Sequence, residues 1–367
     1  MIDSTALQEA GYLSEEESSD LASRHIQNFY PPLDLTQKGI EPRASNLPSS
    51  RPIKWGNTDI YDVNGILTFR DKTLTLLDGT ATRVRTSANH TLPCPVWSIA
   101  MGNSLDIAES ALQARMVALR NDLTPIPGNK ALVCYSYPKL GLLCKRDDPT
   151  APYVIDLSDL QIIDVQKASE RLPLEGVACW SPYDLADPSK VATTKEHWTE
   201  MLANLSPVAS LVDAHVEPAN PKQTDKSLTV QLEGQDSTFF CAPAVGQMIL
   251  QYFKFDVSQD GVAKAMGTGP TGTPVSKEAA AYEALSNDAL TATLDLTPTF
   301  ATAQTEIDNG RPLKSGVPGH ARTVAGYRLD GQQWLYIYDP WPTGKGSIYW
   351  ESWAIKPHTN FIHVLKK

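Results

Sequence analysis

The feature that most constrains this chain is a series of short apolar runs punctuated by Asn-Gly and Asp-Gly pairs, at Asn64-Gly65, Asp78-Gly79 and Asp330-Gly331. Such pairs adopt the positive-φ turns that join neighbouring antiparallel strands. DIYDVNGILTFRD and KTLTLLDGTATRVR read as strands around the first two turns, and KALVCYSYP, LGLLCKRD, PYVIDLSD and IIDVQ as further strands. Helical periodicity is confined to separate stretches. One starts at an Asn103 or Ser104 cap and ends near Arg120, with Ala108, Ala111, Leu112 and Leu119 sharing a face. Antiparallel strands with separate helices define an α+β class.

At 367 residues the chain is long enough for two cored domains. Residues 1–50 are polar and turn-rich and read as a tail with one short helix, Glu15 to Gln27. Residues 51–188 form a helix-plus-meander α+β domain. Residues 189–227 hold a helix carrying Val191, Trp198 and Leu202, then an aperiodic linker, and residues 228–367 form the last domain. The net charge of −10 leaves no global basic field for a nucleic acid. No run of about 18 apolar residues offers a membrane span. The acidic start lacks the basic-then-apolar order of a signal peptide.

Cys94, Cys134, Cys144 and Cys179 lie in the first half, and Cys241 stands apart. The first four fit either buried free thiols or disulfides, such as Cys134 with Cys144 across a hairpin. His215 reads as solvated, and His25, His90, His197, His358 and His363 as surface or packing residues. Without C-x-x-C, H-E-x-x-H or EF-hand spacing, neither a metal nor a cofactor is expected. The segment GTGPTGTP, 267–274, lacks the Lys-Ser/Thr end of a phosphate loop and reads as a surface loop.

The chemistry lies in the last domain. Cys241 opens a helix whose Val245, Met248, Ile249 and Tyr252 fall at helical spacing, and a helix N-terminus favours a thiolate. Gln235, six residues upstream, can return an amide donor towards the sulfur. His320 opens a strand that turns at Asp330-Gly331 and returns as LYIYD to Asp339. Adjacent antiparallel strands bring Asp339 beside His320, where it fixes the imidazole tautomer while the other ring nitrogen deprotonates the thiol. Phe300, Ala303, Gln304 and Ile307 mark a further helix ended by Asn309-Gly310, followed by the strand RPLKSGVP. Ser276 reads as the cap of a helix to Leu285.

Gln235 with Cys241, Gly319-His320 and Asp339-Pro340-Trp341 together resemble the active-site blocks of papain-like cysteine peptidases. The resemblance is to the small bacterial branch that includes bacteriocin-leader peptidases and secreted effector peptidases. It covers residues 228–367, 140 of the 367. It implies Cys241 as nucleophile, His320 as general base then acid, Asp339 as orienter, Gln235 as oxyanion-hole donor and Trp341 as the shield of the His pair. It further implies a helical subdomain headed by Cys241, an antiparallel β subdomain carrying His320 and Asp339, and a cleft between them. Three departures stand: Ala242 where papain has an aromatic, Asp where papain has Asn, and only 79 residues from Cys to His.

The first half, a helix followed by a meander, is similar to the cystatin-like propeptides of streptopain-type enzymes. That implies a zymogen with an intramolecular inhibitor that is cut in the linker. The alternative is an accessory binding domain, which would leave the cleft open, whereas an inhibitor must bury Cys241. The function expected is a cysteine endopeptidase acting on protein or peptide substrates. Transglutaminase-like or amidase chemistry with the same triad, or a silent binding or inhibitory module, are the alternatives. The family resemblance implies an exported or extracellular enzyme, against a cytoplasmic one.

Overall fold

In the computed structural model, Asn64-Gly65 closes the hairpin of β1 (Gly56–Tyr61) and β2 (Leu67–Thr75), with Gly65 at φ 76°. Residues 11–29, 56–75, 81–101, 106–146, 152–169, 174–185, 191–203, 224–355 and 358–367 are described. β2 pairs with β3 (Ala81–Ser87), and β3 with β4 (Val96–Met101), both antiparallel. The Asp78-Gly79 turn between β2 and β3 lies outside the described residues. The expected meander follows as β6 (Leu132–Ser136), β7 (Lys139–Lys145), β8 (Tyr153–Asp156) and β9 (Ile162–Asp164), with the short β5 (Thr124–Pro125) against β7.

The last part of the chain adds β13 (Leu290–Asp295), β14 (Leu313–Val317), β15 (His320–Leu329), β16 (Gln333–Asp339), β17 (Ser347–Ser352) and β18 (Asn360–Lys366). β11 (Thr224–Ser227) pairs with β15. β17 pairs with β4 through Tyr349↔Ala100, Trp350↔Ile99 and Glu351↔Ser98, so among the described residues one sixteen-stranded sheet runs through both halves of the chain. A second link is the two-stranded ladder of β10 (Leu174–Gly176) and β12 (Gly272–Pro274). The fold is α+β, and no helix among the described residues is long and apolar enough to cross a membrane.

Three helices, Cys241–Tyr252, Gln259–Met266 and Glu278–Leu285, pack beside β15 and β18. Val245, Met248 and Ile249 are fully buried there against Ala321, Ala325, Ile362 and Val364. This apolar burial fixes where Cys241 sits relative to the sheet. The helix Phe300–Asp308 ends at Asn309-Gly310, with Gly310 at φ 72°, and feeds β14.

Several expectations need correction. The polar start holds a helix, Glu15–Phe29, that packs rather than trails: Leu21, Ala22 and Phe29 are buried, and Phe29 meets Trp334 edge-on at 4.7 Å. The helix Ile107–Arg120 is capped by Asp106, whose Oδ1 accepts the Glu109 N–H at 3.1 Å. Its buried residues are Ala114 and Ala118, while Leu112 and Leu119 are 54% and 75% exposed, because the sheet takes the small-residue side. Ser276 does not cap the helix to Leu285; a 3-10 turn, Val275–Lys277, leads into it instead. The glycine-rich loop ends in a strand, because β10 offers its end an antiparallel partner.

All five cysteines are free and buried. A Cys134–Cys144 bridge is excluded by register, since Cys134 lies opposite Leu140, and Cys144 opposite Tyr153 and Pro125. The linker with His215 lies outside the described residues, apart from its last four, which form β11.

Candidate active site

Cys241 is the first residue of its helix, and the cap position, Phe240, makes no side-chain hydrogen bond. Helix N–H groups and the positive dipole end therefore lie at the sulfur. Burial nevertheless dominates: Cys241 has no exposed surface, and its thiol is pushed up to about 11, against the pull of Lys139 and a hydrogen bond from the Ala321 backbone. The resting sulfur is a neutral thiol.

His320 follows Gly319, whose φ of 71° suits glycine and whose Cβ, if present, would sit 2.3 Å from the Ala178 Cβ. The β15–β16 pairing places Asp339 next to it, and the His320 Nε2–H donates to Asp339 Oδ1 at 2.8 Å. Asp339 Oδ1 also accepts the Trp341 N–H at 2.8 Å, and Oδ2 accepts the Tyr349 hydroxyl at 2.7 Å. Burial alone would raise the Asp339 carboxyl, but His320, Arg322 and Tyr349 hold it below its usual range. Burial lowers His320 to about 4, with Lys139 and Arg322 opposing the support of Asp339. The pair at rest is therefore a carboxylate and a neutral imidazole.

Of the residues expected from the sequence, the structure joins His320 and Asp339 directly. It gives Cys241 and His320 no hydrogen bond: His320 Nδ1 is buried without a partner. Gln235 is fully buried, and its backbone is pinned to the Asp339 turn, donating to Pro340 O at 2.9 Å and accepting from Gly344 N at 2.8 Å. Its side-chain Nε2 donates to Ser237 O at 2.9 Å and Thr343 Oγ1 at 3.3 Å, and its Oε1 has no partner. Trp341 is buried in the apolar cluster of Trp97, Tyr137 and Trp180, and its Nε1–H donates to Asp156 Oδ2 at 3.2 Å.

Sequence reasoning missed Tyr349, Arg322 and Glu351. Tyr349 anchors Asp339, and Arg322 is held by a two-point contact to Glu351. The one available signal was the period of two along β15, which puts Arg322 on the same face as His320. Lys139 and Glu175, from the first half of the chain, carried no signal at all.

Residues 174–180 pack against Pro318 and Gly319, which lead into His320. The Gly176 N–H donates to Gly319 O at 3.2 Å, and the Trp180 Nε1–H donates to Pro318 O at 2.9 Å. The Lys139 ammonium donates to Gly176 O at 2.6 Å and Gly319 O at 3.5 Å, and is itself fully buried. Among the described residues no group of three or more His, Cys, Asp or Glu side chains could hold a metal ion.

Residues 225–360 match the family described as Peptidase_C39 like family. The match takes in 136 of the 367 residues, and that segment is similar to the peptidases the family describes. No curated protein matches the chain. Among similar solved structures is the peptidase domain of Streptococcus ComA, a bi-functional ABC transporter involved in a quorum-sensing pathway. It is 18% identical, with a TM-score of 0.30 over 37% of this chain and 98% of that one. Another is a double-glycine-motif protease from an AMS/PCAT transporter in complex with its leader peptide, 18% identical, TM-score 0.30, covering 39% and 95%. A third is a fragment of Prevotella intermedia prointerpain A, 14% identical, TM-score 0.33, covering 85% and 98%.

Proposed function

We propose, from the premise that residues 225–360 are a C39-like peptidase domain, that the protein is a cysteine endopeptidase held closed by its own first half. The observation that carries this is residues 174–180 held against Pro318 and Gly319, the residues that lead into His320, with Cys241, His320 and Asp339 all fully buried. An accessory domain would leave the cleft open.

In the working enzyme the Cys241 thiol passes its proton to His320 Nδ1, and the sulfur attacks the peptide carbonyl carbon. The imidazolium, oriented through Nε2 by Asp339, gives that proton to the departing amine, leaving a thioester. Water, deprotonated by the same nitrogen, then hydrolyses the thioester and restores the thiol. The Cys241 N–H and the Gln235 amide serve the oxyanion, which requires Gln235 Nε2 to turn from Ser237 O and Thr343.

The closed form opposes the first step. The buried Lys139 cation lowers the basicity of His320, and burial keeps Cys241 a thiol. Displacing residues 174–180 and Lys139 would restore water and a competent Cys–His pair. The test is casein hydrolysis by the full-length chain after prolonged incubation, beside Cys241→Ala and His320→Ala. Activity that appears with time in the wild type alone supports the reading. Equal activity in the variants, or none in any chain even after nicking within 204–223, removes it.

A further inference from the structure

β10 lies between β12 and the turn from β14 to β15 as an extended peptide gripped from both sides. It pairs antiparallel with β12 through Leu174↔Pro274, Glu175↔Thr273 and Gly176↔Gly272, while the Gly176 N–H donates to Gly319 O on the opposite wall. Main-chain pairing of this kind holds a peptide regardless of sequence, and side-chain pockets then add selectivity. Two positions here are selective. At Gly176 a Cβ would lie 2.6 Å from the Gly272 Cα, so only glycine passes between the walls. At Glu175 the side chain leaves the strand for a closed polar pocket built wholly from the peptidase domain.

That pocket is formed by Lys314 of β14, Asn360 of β18 and Glu278 of the helix Glu278–Leu285, each buried. Glu175 Oε1 accepts from the Lys314 ammonium and from Asn360 Nδ2 at 3.2 Å. Lys314 also donates to Asn360 Oδ1 at 2.5 Å and sits 3.1 Å from Glu278 Oε2. Gly316 forms the floor, where a Cβ would lie 2.3 Å from Glu175 Oε1. Burial would lower Lys314, but the two carboxylates more than reverse this, while burial and Glu175 push Glu278 well up towards its neutral acid. The Lys314 ammonium and the Asn360 amide thus give one incoming carboxylate both the charge partner and the hydrogen bonds that a buried ion needs.

We propose that this pocket is a specificity site for substrates. In a peptide bound as Leu174–Gly176 is, it takes an acidic side chain on the residue just before a glycine seated between Gly272 and Gly319. The inference rests on the peptidase reading, because it treats β10 as occupying the substrate's place. Lys314 and Asn360 act as binding residues and have no role in bond breaking.

The experiment uses internally quenched peptides containing Leu-Glu-Gly-Val, Leu-Gln-Gly-Val, Leu-Ala-Gly-Val and Leu-Lys-Gly-Val. They are offered to the full-length chain after activation, and to Lys314→Met and Asn360→Ala chains checked for folding by circular dichroism. Expected is a kcat/KM at least about tenfold higher for the Glu peptide than for the Ala peptide, carried mostly by KM, as loss of a buried ionic partner implies. The preference should vanish in Lys314→Met and weaken in Asn360→Ala. Equal cleavage of all four peptides by an enzyme that hydrolyses casein overturns the pocket alone. Should no chain cleave any peptide or casein, the peptidase reading itself falls, and the inference with it.

Discussion

Replacing Lys139 by Met removes the cation that ties residues 174–180, the proposed cover, to Gly319 while keeping most of the side-chain volume. Lys139 is fully buried and donates at 2.6 Å to Gly176 O. A hydrogen bond to a charged group contributes about 1.5–3 kcal/mol, and its loss leaves the Gly176 carbonyl without that donor. At about 1.4 kcal/mol per factor of ten, the fraction of molecules with the segment lifted rises about 10- to 100-fold. When opening is fast compared with the chemistry, the labelling rate of a buried thiol follows that fraction. The assay is iodoacetamide labelling of the full-length chain at neutral pH, with the Cys241 peptide followed by mass spectrometry. Removing the cation also raises the basicity of His320, which acts in the same direction. Labelling in Lys139→Met no faster than in wild type would refute the reasoning, because Lys139 would then not hold the segment down.

Other outcomes follow from the same contacts. Gly319→Ala sets a methyl against Ala178 at a φ of 71°, so the closed form should lose on the order of 1–3 kcal/mol, seen as faster Cys241 labelling or a lower urea midpoint. Titration with a thiol reagent, without reductant, should find no fast-reacting cysteine in the native chain and five after denaturation; fewer than five would contradict the five free, buried thiols. His25 is buried and lowered to about 4 by burial, so the unfolded chain binds its proton first as pH falls. Its contribution is therefore lost as pH falls from 6.5 towards 4. The wild-type stability minus that of His25→Gln should drop over this window by on the order of 3 kcal/mol, measured by urea melts at each pH.

The pairing of His320 with Asp339 was legible because its geometry is local. His320 opens one strand, Asp339 closes the next, and an Asp-Gly turn between them sets the register. The helix behind Cys241 was equally plain, since its apolar residues repeat at the helical period and bury where that period requires. The face of the helix Ile107–Arg120 was misread because leucines outweigh alanines in a periodicity count, whereas a close helix–sheet contact admits the smaller side chains Ala114 and Ala118. Lys139, Glu175 and the β17–β4 pairing depend on contacts between residues more than a hundred positions apart, and no spacing rule reaches them. The packing of the first helix was hidden by its acidic first turn, Glu15 to Glu17, which outweighed Leu21, Ala22 and Phe29 in the composition.

The most direct test of a closed cysteine peptidase is the intact mass of the full-length wild type and of Cys241→Ala over time under reducing conditions, with and without an epoxysuccinyl reagent. The account predicts that the reagent leaves the intact chain unmodified, that only the wild type shortens, and that the shortened enzyme gains one adduct, at Cys241. Rapid modification of the intact chain at Cys241 would contradict the closed cleft, and shortening of both proteins at the same rate would contradict Cys241 as the nucleophile.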